Sequence, residues 1–379
     1  MRPAWLDYAW GIAVLLVALC YAMLPDLLLD VVFIFTWPLV FFLAGYESGV
    51  RPRSSGRHLA RQQAKQLLLP YLGYSLLAWV LWMAWGLMGL LDKPAGVDWP
   101  EDEFRALADE VHAAGLELEV IESVNVHEDI KLGLPGRDEE IEVIKELIRN
   151  MGRLGIRVWC YEFMPYVHVV RTSTTIPVRG GALATGYDHD LMKNAPLTEH
   201  GEVSDDQIWD NLKYFLEQVV PVAEEYNVQL AAHPDDPPLS PIRGFSRVLR
   251  SIENYQKLLD LVPSPVNGIA LCQGNFTLMT DDLPGAIRHF GAQKKIFFVH
   301  FRDVRGTPEK FVETFHDEGK TDMLACMRAY KEVGFEGVCR PDHYPIMEGD
   351  DESKTGYARI SRLFAIGYIK GLREAVYAE

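Results

Sequence analysis

The chain is 379 residues long, 49% hydrophobic and 24% charged, with a formal net charge of −16 and a sequence pI near 5.2. Length points to two domains or one large barrel with an appendage, and the composition excludes a disulfide miniprotein, a collagen-like fibre and a disordered chain. The acidic balance argues against a nucleic-acid binder, which needs clustered Lys and Arg to neutralise phosphates, and leaves a small-molecule enzyme open.

The charge is unevenly spread. Residues 1–96 carry seven Lys/Arg against five Asp/Glu, a net of +2, which leaves −18 for residues 97–379. Two different pieces are joined, with a seam expected near residues 92–100.

The first piece, residues 1–96, reads as membrane-helical. Uncharged runs of 18, 16 and 26 residues lie between Asp7 and Asp26, Asp30 and Glu47, and Lys65 and Asp92, where a bilayer needs about 20 apolar residues. The third run, rich in Trp and Tyr, predicts a transmembrane helix with interfacial anchors. The second is short and contains Pro38, so a re-entrant hairpin competes with a span. No small-x-small site follows the first run, which argues against a cleaved signal peptide. Arg51, Arg53, Arg57, Arg61 and Lys65 crowd one connector and predict that it stays cytoplasmic, placing whatever follows the third span outside the cytosol.

Three stretches of this piece, WLDYAWGIAVLLVAL, FTWPLVFFLAGYESG and RHLARQQAKQLLLPYLGYSLL, resemble the N-terminus of integral-membrane sugar O-acyltransferases over about residues 1–92. Where that family has two histidines, this chain has Tyr21 and Thr36. The resemblance covers a fragment, and no acyl transfer is expected of it.

From residue 97 short β-rich runs alternate with amphipathic helical stretches, the pattern of a parallel α/β architecture. Strands are predicted at 116–123, 156–164, 228–234, 268–275, 295–303 and 337–343. Between them EIEVIKELIRNMGRLG and DNLKYFLEQVVPVAEEYN keep a 3.6-residue apolar period and predict helices. A (β/α) barrel has eight such units. Six are visible, so the fold class is α/β: an incomplete TIM-type barrel that lacks its first strands, behind an all-α transmembrane segment. Residues 165–206, without a clear period, read as a long specificity loop at the carboxyl end of a strand. The acidic loop 344–356 reads as solvated, since nothing apolar holds its carboxylates in place.

Four strands end in groups able to bind metal: His233 in AAHPDD, Cys272 in LCQGN, His300 in FVHFRD and Asp342 in RPDH. Barrel strands deliver their last residues to one mouth, so these four are predicted to converge although they are far apart in sequence. Two imidazoles, a thiolate and a carboxylate suit a divalent first-row ion without choosing among them. Cys20, Cys160, Cys326 and Cys339 have no paired spacing, and an odd total of five fits a reducing compartment, against the topology drawn from the basic connector. Asp235, Asp236, Arg302, Asp303, His343 and Tyr357 flank the ligands. Of these, His343 and Tyr357 are the natural pair for moving protons. Arg302 offers a planar fork for a substrate carboxylate, with a salt bridge to Asp303 or a loop acid as the other reading.

A second resemblance rests on IESVNVHEDIK (121–131), CYEFMPYVHVVRT (160–172), PVAEEYNVQLAAHPDDPP (221–238), VNGIALCQGN (266–275), the FFVHFRD segment from 297, RPDHYP (340–345) and GYARISRLFAIGYIKGL (356–372). In that order they are similar to mannonate dehydratase over about residues 100–377. The resemblance implies a xylose-isomerase-like barrel, of cytoplasmic location and homo-oligomeric, that dehydrates the sugar acid D-mannonate to 2-keto-3-deoxy-D-gluconate in glucuronate catabolism with Mn²⁺ or Fe²⁺. It implies His233, Cys272, His300 and Asp342 as metal ligands, His343 and Tyr357 as proton-transfer groups, and Arg302 at the substrate.

Two other readings remain open. A sugar isomerase or epimerase on the same barrel would need a Glu- and Asp-rich ligand set, for which Glu122 and Glu162 are the strand-end candidates. The chain could also be an inactive membrane-anchored remnant.

Overall fold

The computed structural model describes residues 100–378, apart from 123 and 167. The three apolar runs, the basic connector and Cys20 lie outside the described residues. Among those described, no helix is long and apolar enough to cross a membrane.

Six parallel strands form the central sheet: β1 (Val120–Glu122), β2 (Val158–Tyr161), β5 (Gln229–Ala232), β6 (Asn267–Cys272), β7 (Ile296–Phe301) and β10 (Val338–Pro341). They lie in the order β1-β2-β5-β6-β7-β10, and every neighbouring pair is parallel. Five fall inside the predicted runs and β6 starts one residue before its run; all six are shorter, because the last polar residues of each run leave the ladder to line the mouth. The sheet curls until its two outer strands face each other: Arg340 Nη2 of β10 donates to Glu122 Oε1 of β1 across 2.9 Å. The barrel is nearly closed by side chains where its described strands end.

Alternation along the strands separates two cores. Val158, Cys160, Ala231, Ala270 and Phe298 fill the barrel interior. Trp159, Leu230, Leu271 and Val299 point outward into the layer beneath the helices. That layer is closed by α1 (Glu101–Ala113), α2 (Glu128–Leu132), α3 (Arg137–Arg153), α4 (Asp205–Tyr226), α5 (Ile252–Leu261), α6 (Gln273–Met279), α7 (Leu283–Ala292), α8 (Met323–Glu332) and α9 (Arg359–Ala378). Helix starts follow their caps. Ser204 and Gln207 form a capping box on α4, Ser251 caps α5, and Asp282 and Asp322 cap α7 and α8, each satisfying an otherwise orphaned N–H.

Residues 165–206 depart from the expected irregular loop. They contribute β3 (Ser173–Pro177) and β4 (Leu183–Asp188), which join the hairpin β8 (Val304–Thr307) and β9 (Lys310–Glu313) in an antiparallel sheet of order β3-β4-β9-β8. The two insertions order each other, a long-range pairing that no local period announces. Loop 344–356 is largely turns, as expected, with Asp351 and Glu352 exposed. Asp350, however, accepts from Ile360 N and Ser361 Oγ, 2.7 Å each, and ties the loop to the start of α9.

Candidate metal centre and proton-transfer pair

The strand ends bring the expected ligands together. His233 follows β5, Cys272 ends β6, His300 lies one residue before the end of β7, and Asp342 follows β10. One donor atom each of His233, Cys272 and His300 lies within 4.8 Å of the others. Asp342 Oδ2 stands 3.8 Å from Cys272 Sγ and 3.7 Å from His300 Nδ1. All four residues are buried.

The donors are also suitably prepared. His233 Nδ1 lies 2.8 Å from the Pro234 carbonyl, so it is the nitrogen that carries the proton, which leaves Nε2 with its lone pair. His300 is fully buried, and neither ring nitrogen has an aligned hydrogen-bond partner. Such orphaned atoms are costly in a core and are common where a ligand belongs. Burial disfavours the charged form of His300, yet the Glu122 and Asp342 carboxylates override it and raise the imidazole pKa. Burial acts against the Asp342 carboxylate too, but His343, Arg340 and His300 hold its pKa well below the ordinary range. The residues present therefore fit a divalent cation: two imidazoles, a thiol and a carboxylate with unspent lone pairs.

Beside this cluster stands the predicted proton-transfer pair. His343 Nε2 lies 2.5 Å from Tyr357 Oη, and Tyr357 Oη lies 3.4 Å from Asp342 Oδ1. His343 has a left-handed backbone, φ +34, rare for a non-glycine residue and concentrated at functional sites. Its Nδ1 is 3.0 Å from both Glu313 Oε1 and Arg171 Nη2. Burial and the charge of Asp342 keep the Tyr357 phenol protonated far above its usual pKa. A polar pocket opens onto both groups, with Glu122, Glu162, Arg340 and the metal-side residues in its wall.

Comparison with known proteins settles the family. Residues 83–200 and 194–379 match the model of D-mannonate dehydratase (UxuA). The chain is 40% identical to a mannonate dehydratase of Thermotoga neapolitana, covering 77% of this chain and 90% of the relative, and 36% identical to mannonate dehydratase 2 of Halalkalibacterium halodurans, at 76% and 90%. The structure of mannonate dehydratase from Streptococcus suis serotype 2 superposes with a TM-score of 0.69 at 35% identity, covering 75% of this chain and 84% of that one. The chain belongs to the D-mannonate dehydratase family. It is a hydro-lyase on a xylose-isomerase-like barrel. A xylose isomerase domain protein from Planctomyces limnophilus shares that fold at a TM-score of 0.50 and 14% identity, over 76% of this chain and 88% of that one. The family match begins at residue 83, inside the third apolar run and ahead of the boundary expected at 97.

Within this dehydratase one expected role is displaced. Arg302 does not hold a free fork toward the pocket. It is fully buried, with Nε and Nη2 donating to Glu313 at 2.9 and 2.7 Å and Nη1 donating to Asp236 Oδ2 at 2.9 Å and Asn275 Oδ1 at 2.6 Å. Asp303 is not among its partners, whereas Asp236, in the loop after β5, is the loop acid of the other reading. Gly274 makes room for it, since a Cβ there would stand 2.7 Å from the Arg302 side chain. Asp235 and Asp303 are likewise structural, accepting from the backbone N–H of Leu249 and Val304. The described cysteines, Cys160, Cys272, Cys326 and Cys339, are all free thiols, as expected.

Three participants escaped the sequence reading. Arg340 was legible in principle, since it lies two positions before Asp342 and strand alternation puts both on one face. Arg171 and Glu313 had no such signal. They meet only because the two insertions pair, 142 positions apart.

Proposed function

We propose that this chain dehydrates D-mannonate to 2-keto-3-deoxy-D-gluconate, using Mn²⁺ or Fe²⁺ held by His233, Cys272, His300 and Asp342. The observation that carries this reading is the His343–Tyr357 contact set directly against Asp342 at the edge of the ligand cluster. A 2,3-dihydroxy acid loses water when its C2 proton leaves, the C3 hydroxyl departs with a proton, and the resulting enol becomes the 2-keto acid. When bound, the divalent ion supplies charge neutralisation for the substrate carboxylate and the developing enediolate.

The chain's own residues supply the protons. His343 and Tyr357 are close enough to pass a proton between them, so the pair can accept one from C2 and return one to the departing hydroxyl. Glu313 and Arg171 fix the far side of the His343 ring and hold it toward Tyr357. The Arg302 side chain shapes the wall behind the ligands, and its partner Asp236 lines the pocket. The ligand set disfavours the isomerase alternative, since Cys272 and two imidazoles take the places where that chemistry needs carboxylates.

The test is a chelator-treated full-length chain offered D-mannonate and a panel of other hexonates, with and without Mn²⁺ or Fe²⁺. A 2-keto-3-deoxy acid should form from D-mannonate only after metal is restored. An epimerised or isomerised product without water loss would overturn the assignment.

A further inference from the structure

Glu122 lies outside the four ligands, yet the structure treats it as part of the same centre. It ends β1, and Arg340 of β10 reaches both of its oxygens with Nη2, 2.9 Å to Oε1 and 2.8 Å to Oε2. Held there, Oε1 stands 3.0 Å from His300 Nε2. The opposite ring nitrogen, Nδ1, faces Asp342 Oδ2 at 3.7 Å, the same oxygen that lies 3.8 Å from Cys272 Sγ. The His300 ring is therefore placed between an outer carboxylate and the ligand set. Phe298 and His233 pack on the ring at centroid distances of 4.8 and 4.9 Å, but neither offers a hydrogen bond that would choose which nitrogen carries the proton.

We propose that Glu122, anchored by Arg340, is a positioning residue: it accepts the Nε2–H of His300 and thereby aims the Nδ1 lone pair at the divalent ion. A neutral imidazole carries one proton, so a carboxylate on one nitrogen selects the tautomer that leaves the other free to ligate. It also holds the ring orientation and raises the basicity of the ligating nitrogen. The inference rests on reading His233, Cys272, His300 and Asp342 as the metal centre.

The competing arrangement is an ion held by Glu122, Cys160 and His300, whose donor atoms also approach within 4.8 Å. Arg340 argues against it. A cation on Glu122 would meet a guanidinium already in contact with both oxygens, and that guanidinium occupies the lone pairs such an ion would need.

The experiment titrates the metal-free full-length chain with Co²⁺ alone, following the thiolate charge-transfer band of Cys272 and the d–d bands. Glu122→Gln should weaken Co²⁺ binding by about 10- to 100-fold with unchanged band positions, and Glu122→Asp should recover part of the loss. Unchanged affinity in Glu122→Gln would overturn the proposal. So would shifted d–d bands, which would make Glu122 a ligand. A wild-type chain that shows no charge-transfer band would instead overturn the metal centre itself. A measurement that needs no Glu122 variant is ¹⁵N NMR of labelled histidine in the metal-free wild type, with the His300 signal assigned through His300→Asn. At a pH where the ring is neutral the proton should sit on Nε2, and a proton on Nδ1 would refute the proposed role.

Discussion

Two buried polar clusters share the barrel mouth, and they differ in how completely they are paired. In the network of Arg171, Asp236, Arg302 and Glu313, two guanidinium groups meet two carboxylates, with both oxygens of each acid engaged. In the ligand cluster a few ångströms away, neither nitrogen of His300 makes an aligned hydrogen bond, and Cys272 and Asp342 approach each other without a strong bond. Burying a polar atom without a partner costs about 1–3 kcal/mol. A protein retains that cost where something else is to bind, whereas a fully satisfied network serves shape. The comparison explains why Arg302, which reads from sequence like a substrate fork, behaves in the structure as scaffold.

The largest effect should come from the unsatisfied side. Tyr357→Phe and His343→Ala are each expected to lower turnover by about 10²-fold or more while metal content, measured on the purified chain, stays at the wild-type level. Neither residue is a proposed ligand. Metal loss in step with activity would move that residue from proton transfer to support of the centre, and unchanged turnover would remove it from the reaction.

The paired side should respond in stability. Arg302→Ala leaves Glu313 and Asp236 buried with part of their compensation gone, a change that costs about 3–5 kcal/mol for buried pairs. Denaturant unfolding of the metal-free chain should show that loss. A variant of wild-type stability with a raised KM for D-mannonate would restore Arg302 to the substrate and break the contrast drawn here.

The sequence made the six strands and the convergence of four candidate ligands legible for a physical reason. Parallel barrel strands are buried on both faces and read as apolar runs, and a polar residue at the end of such a run has few places to go but the mouth. His233, Cys272, His300 and Asp342 all follow that rule. The pairing of 165–206 with β8 and β9 was not legible, because cross-strand partners between distant insertions leave no period in either segment. Arg171 and Glu313 were hidden with it. VHFRD does not choose between the two readings of Arg302 for a related reason: it shows a cation next to a candidate ligand but not the Glu313 carboxylate that engages it. Residues 1–99 lie outside the described structure, and their expected membrane character stands as a sequence reading.

The smallest expected effect concerns acid. Burial alone would raise the Glu313 carboxyl, but Arg302, Arg171 and His343 override it and depress its pKa to about 2 from an ordinary 4.5. A carboxylate depressed on folding contributes stability that is fully present above its unfolded pKa and is lost as pH falls through its folded one. The wild type should therefore lose stability between about pH 4.5 and 2, as the unfolded state gains a proton that the folded state resists. Glu313→Gln should start less stable, because two arginines lose a charged partner, yet its stability should fall less steeply over that window. Asp236 is depressed by the same arginines and keeps some slope in the variant. Unfolding followed by circular dichroism across this pH range separates the two quantities: a shift in midpoint reports the lost pairing, and the change in slope reports the titration. Parallel slopes for wild type and Glu313→Gln would mean that Glu313 resists protonation no more in the fold than outside it. The network would then be held by packing and geometry, and its charge would not be what sets it apart from the ligand cluster.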